Sequence, residues 1–171
     1  MRHLSLFLLF AALLAACATT ETGTEEAGET AEPSSPVPGW FDDRISSRSD
    51  SLVIEGIAMA SALDSAKAVG LSAETALQNL KLGIDREIDE VRKELANESG
   101  EYGSTRFIIS LRQAVAQLQL QHLEAETAYD KSDSGTHYVY TRYRVHKSRL
   151  PELLSSAGLQ APTFLRQLSE Q

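Results

Sequence analysis

Residues 72–95 read Ser-Ala-Glu-Thr-Ala-Leu-Gln-Asn-Leu-Lys-Leu-Gly-Ile-Asp-Arg-Glu-Ile-Asp-Glu-Val-Arg-Lys-Glu-Leu. Ala73, Ala76, Leu77, Leu80, Ile84, Ile88, Val91 and Leu95 recur at intervals of three and four, the signature of one apolar helix face. The opposite face carries Asp85, Arg86, Glu87, Asp89, Glu90, Arg92, Lys93 and Glu94, with Arg86–Glu90 and Asp89–Lys93 spaced for surface ion pairs. Charges alternating in sign along one helix face read as solvated ion pairs, so Asp89 and Glu90 are not taken as an acid/base couple. Ser72 is the expected N-cap, and this helix is the expected wall of the core.

Upstream, Ser51 to Met59 is a β-branched apolar run that reads as a largely buried strand, and Gly56 inside it signals a bulge or a close backbone approach. Residues 60–71 are ambiguous: Ala62, Leu63, Ala66 and Val69 have helical spacing, but Gly70 and the many small residues weaken it. Downstream, Ser104 is placed to cap a second helix with Phe107, Ile108, Leu111, Val115 and Leu118 on one face. Gln119 to Lys131 alternates as a half-buried strand, with a break near His122. Ser132-Asp133-Ser134-Gly135 is a turn. His137 to Val145 answers it, with Val139, Thr141, Tyr143 and Val145 on one face and Tyr138, Tyr140, Arg142 and Arg144 on the other. The pair reads as an antiparallel hairpin. A short helix capped at Ser148 and stopped at Gly158, then an amphipathic turn through Phe164, Leu165 and Leu168, complete the chain. The expected class is α+β: a two-layer domain in which a small antiparallel sheet of about three strands packs on a long amphipathic helix and shorter helices.

The N-terminal end has a different character. Arg2 and His3 precede an uncharged apolar run from Leu4 to Ala16, long enough for export but shorter than the roughly 20 residues of a spanning helix. Leu14-Ala15-Ala16-Cys17 resembles the lipobox of bacterial lipoproteins, and Cys17 is the only cysteine. That resemblance implies cleavage after Ala16 (residues 1–16 being a signal peptide) and diacylation of Cys17, palmitate included. By the enteric sorting pattern, Ala18 in place of aspartate implies the outer membrane, on its periplasmic side. Residues 18–38 are rich in Thr, Glu, Ser, Gly and Pro, with Glu21, Glu25, Glu26, Glu29 and Glu32 and no lysine or arginine. Such a composition reads as a disordered acidic tether from the lipidated Cys17 to a single domain over residues 39–171.

Composition narrows the chemistry. The formal net charge is −8 and no basic stripe interleaves with aromatics, so nucleic acid is not an expected partner. One cysteine permits no intrachain disulfide and no cysteine-based zinc site. His122, His137 and His146 lack metal-ligand spacing, so no metal and no cofactor is expected. No Gly-x-Ser-x-Gly elbow, Ser-x-x-Lys pattern or phosphate-cradling glycine loop is present, and no catalytic residue is assigned. The sole tryptophan, Trp40, is expected to be buried against a helix. Tyr138, Tyr140, Arg142 and Arg144 are the candidate partner-binding residues, because tyrosine and arginine combine contact area with directed hydrogen bonds. The alternative is a structural ladder of aromatic and cationic side chains packed beneath a helix.

The order of elements also resembles the twenty-kilodalton (LPP-twenty-type) lipoprotein family and the N-terminal domain of flagellar assembly protein T. The pieces that carry the resemblance are Pro38, Trp40, Gly56-Ile57-Ala58, Ala76 to Ile88 and Tyr138 to Tyr143, within residues 38–146. The family's usual Gly-x-Gly after the first strand appears here as Gly56-Ile57-Ala58. The resemblance implies an envelope lipoprotein with a mixed helix–sheet domain and brings no catalytic or cofactor residues. From this follows a non-enzymatic, membrane-anchored interaction or assembly module, held by acylated Cys17 and docking on an envelope or flagellar-associated protein. A small-molecule-binding lipoprotein with a pocket between helix and sheet is the alternative.

Overall fold

The structure is a computed structural model and describes residues 37–170. The expected signal peptide over residues 1–16, Cys17 and nearly all of the expected tether lie outside the described residues. Among the described residues four strands and four helices follow one another in an α+β order: β1 (Ser47–Ser49), β2 (Val53–Ala62), α1 (Ser65–Glu98), α2 (Thr105–Ala116), β3 (Ala125–Lys131), β4 (His137–His146), α3 (Leu150–Ser156) and α4 (Pro162–Ser169), with a 3-10 turn at Lys147–Arg149. The sheet is antiparallel throughout, in the order β1-β2-β4-β3, so the last strand in sequence inserts between β2 and β3.

The hairpin forms where the turn chemistry placed it. Gly135 takes φ +85°, open to glycine and strained for other residues, and its N–H bonds Ser132 O at 2.9 Å. The Thr136 N–H donates to Ser132 Oγ at 3.1 Å, tightening the same loop. Two expectations shift. A fourth strand, β1, joins the edge of β2, held by backbone bonds and by an Arg48–Glu55 ion pair. Residues 119–124 lie outside β3.

Helix α1 is longer than its apolar pattern, starting at Ser65 with Asp64 as N-cap: Asp64 Oδ1 accepts from Lys67 N at 2.7 Å. Ser72, expected at the cap, is instead fully buried in mid-helix. The face that meets the sheet runs through Ala68, Ser72, Ala76, Leu80, Ile84, Ile88 and Val91, small residues first and large ones later. The small residues let helix and sheet approach closely. A Cβ built on Gly56 falls 2.3 Å from both Ala76 O and Leu80 N, so glycine is what allows β2 to pass beneath α1. At this crossing Asn79 Nδ2 donates to Ile57 O at 2.7 Å, and Ser72 Oγ bonds Thr141 Oγ1 at 2.8 Å. These bonds satisfy polar groups that burial otherwise leaves stranded. Farther along α1 the gap widens and is filled by Tyr102, Phe107 and Phe164, whose ring centroids lie 5.1 to 5.8 Å apart. Helices α2, α3 and α4 contribute Leu111, Val115, Leu154 and Leu168 to the same core.

Candidate functional site

The sheet face turned away from α1 carries alternate side chains of each strand: Glu55, Ile57 and Met59 from β2; Tyr138, Tyr140, Arg142 and Arg144 from β4; Glu126, Ala128 and Asp130 from β3. All four candidate partner-binding residues therefore share one surface, with Arg142 at its centre. Arg142 Nη1 meets Glu55 Oε1 at 3.2 Å, and Nη2 forms a short hydrogen bond with Glu126 Oε2. Arg144 reaches the same Glu126 oxygen at 3.3 Å, and Arg48 lies 3.9 Å from Glu55. The Arg142 side chain is only 13% exposed and Glu55 14%, whereas Glu126 is 42% exposed, so the planar guanidinium bridges one shielded carboxylate and one at the solvent edge. Its hydrogen bond holds the Glu126 carboxyl below its usual range, and the Trp40 indole N–H adds a smaller effect.

What shields this ladder is the chain segment ahead of β1. Trp40 does not pack on a helix; it lies on the sheet, its ring 4.9 Å from the Arg142 guanidinium carbon. Sequence alternation cannot reveal this, because the contact spans about a hundred residues and no periodicity links its ends. Phe41 stacks edge-on against Tyr140, centroids 4.9 Å apart at 68°. Beneath it Ile57 is 1% and Tyr140 6% exposed. Burial, and secondarily the charge of Asp130, pushes the Tyr140 phenol up from its usual value. The four candidates thus differ: Tyr140 is covered, Arg142 is nearly so, Tyr138 is half-buried and Arg144 is exposed.

Asp130 carries no motif that singles it out in the sequence. It is 7% exposed; Oδ1 accepts from Lys131 N at 2.7 Å, and Oδ2 has no partner. Arg142 Nε is the other buried polar side-chain atom without a partner among the described residues. Both belong to this one face.

The histidines are dispersed. His137 and His146 stand at opposite ends of the ten-residue β4, and His122 is exposed in the loop before β3. His146 Nδ1 lies 2.7 Å from Ser148 Oγ and accepts from Ser148 N at 3.3 Å, the geometry of a local turn cap. No group of three or more His, Cys, Asp or Glu side chains placed to hold a metal occurs among the described residues. Surface grooves run between α1 and α2. The larger, about 480 Å³, is lined by Lys81, Leu82, Asp85, Arg112 and Val115 among others. No helix among the described residues is long and apolar enough to cross a membrane. No family model, no curated protein and no solved structure matches the chain.

Proposed function

We propose that this chain is a bacterial envelope lipoprotein, anchored through acylated Cys17, whose α+β domain acts as a non-enzymatic interaction or assembly module for an envelope or flagellar-associated protein. The observation that carries the reading is Leu14-Ala15-Ala16-Cys17 at the end of a charge-free apolar run. Acyl chains contribute about 0.8 kcal/mol per buried methylene, so two or more of them hold a soluble domain at a bilayer. Nineteen residues, 18–36, separate Cys17 from Val37, the first described residue. That length suits a domain standing off the membrane to reach a partner. The resemblance in residues 38–146 to the LPP-twenty-type family points the same way.

The small-molecule alternative asks for space between helix and sheet. At the Gly56–Ala76 crossing the two backbones are already in contact, which favours the interaction module. The test is fractionation with a Cys17→Ser variant. The wild-type chain is expected in the outer-membrane fraction and the variant in the soluble extract or as uncleaved precursor; a wild-type chain already soluble would refute the reading.

A further inference from the structure

The segment over residues 37–46 is joined to the sheet in an unusual way. Its own backbone bonds are local, Phe41 N to Pro38 O at 2.8 Å and Ile45 N to Asp42 O at 3.0 Å. The backbone bond from it to β2 is at its far end, Ile57 N to Ser46 O at 2.9 Å. The rest of its grip is side-chain contact: the Phe41 ring on Tyr140 and the Trp40 ring over Arg142. Contacts of that kind can be replaced by another segment without disturbing the ladder between β2, β4 and β3.

Two further observations suggest that the fit is incomplete. Both unpartnered buried polar atoms among the described residues, Asp130 Oδ2 and Arg142 Nε, lie on the face this segment covers. Buried polar groups are normally satisfied, so one lone acceptor and one lone donor on a single surface mark an unfilled complementarity. The apolar surface also continues past the segment, where Met59, paired with Tyr140 across the strands, is 42% exposed and Tyr138 is half-buried.

We propose that the outer sheet face is a peptide-docking site, that residues 37–46 occupy it as an internal ligand, and that an aromatic segment of a partner protein takes it by displacing them. The chemistry of the occupant is read from the pair that touches the face, Trp40-Phe41, the acid beside them, Asp42, being bonded to Arg44 of the same segment. The pair carries an aromatic ring for the Arg142 guanidinium and a second for Tyr140. An added donor opposite Asp130 and an added acceptor opposite Arg142 Nε would let a partner segment exceed the internal one. The displaced residues lead directly toward Cys17, so docking would free extra reach between anchor and domain. The proposal rests on the reading of the chain as an anchored interaction module. Its test does not, since peptide binding in detergent needs no acyl chain.

The experiment uses the full chain in detergent and a fluorescein-labelled peptide of residues 37–46, followed by anisotropy. The Trp40→Ala/Phe41→Ala double variant, its face uncovered, is expected to bind the peptide at least about tenfold more tightly than wild type, because the open fraction divides the apparent affinity. A control peptide with both aromatics replaced by alanine is expected not to bind. Equal binding of the two peptides, or no binding to a variant folded by circular dichroism, overturns the proposal. Should the double variant fail to fold, hydrogen exchange on the wild type decides. Amides of Phe41 and Ile45 are expected to exchange at least about tenfold faster than those of Ile84 and Ile88, and equal protection refutes a displaceable segment.

Discussion

Gly56→Ala is expected to be among the most damaging single-methyl additions available to this domain. The new Cβ would lie 2.3 Å from Ala76 O and from Leu80 N, and 2.6 Å from Leu80 Cα. All three are backbone atoms of α1, so no rotamer change relieves the overlap. Opening those contacts toward an ordinary 3.4 Å requires α1 to lift off the sheet by roughly 1 Å. Overpacking of a well-filled core costs about 1–3 kcal/mol. The same lift stretches Asn79–Ile57 (2.7 Å) and Ser72–Thr141 (2.8 Å), at about 1 kcal/mol each. The sum is about 3–5 kcal/mol, or a fall in Tm on the order of 10 °C or more for a domain of this size. Gly70→Ala makes the same chemical change on the exposed side of the same helix, where nothing lies within 4 Å of the new methyl. There alanine is expected to stabilise by up to about 1 kcal/mol, since glycine is the poorer helix former. Urea unfolding of the two variants beside wild type is the assay. A Gly56→Ala protein within about 0.5 kcal/mol of wild type would refute the close-packed crossing.

Thr141→Val is expected to cost about 1–3 kcal/mol by urea denaturation, because it removes one partner of the buried Ser72 hydroxyl. Adding Ser72→Ala is expected to cost less than the sum of the two single changes, since both partners are then apolar, and strict additivity would contradict a coupled pair. Acidification is expected to loosen the Trp40 segment. The Glu126 carboxyl is held below its ordinary 4.5 by Arg142, so its contribution is present above about pH 4.5 and lost as pH falls through the lowered folded value. Trp40 is the sole tryptophan, so acrylamide quenching of its fluorescence is expected to rise over that window before far-UV dichroism changes. Quenching unchanged until far-UV dichroism itself collapses would remove the Arg142–Glu126 link from the account.

The elements whose residues repeat with a period were legible in the sequence. The apolar rows of α1 and α2 and the Asp-Ser-Gly turn between alternating strands placed the core and the hairpin. What escaped was set by contacts between distant residues. Residues 60–71 were ambiguous because Gly70 and several small residues weaken a helical spacing, yet α1 begins at Ser65 and buries Ala68 of this stretch. Ser47-Arg48-Ser49 has no strand pattern and becomes β1 only because the edge of β2 offers it backbone partners. The ladder of Tyr138, Tyr140, Arg142 and Arg144 was visible as alternation. Its cover was not, since Trp40 and Phe41 arrive from the far end of the domain, and neither was the stranded oxygen of Asp130.

Residues 1–16 and Cys17 decide whether the domain works at a membrane, and mass spectrometry of the mature protein tests this most directly. Chain purified from envelopes is expected to begin at Cys17 and to carry the added mass of a diacylglycerol group. A first residue other than Cys17, or an unmodified Cys17 thiol, would contradict the anchor on which the functional account depends.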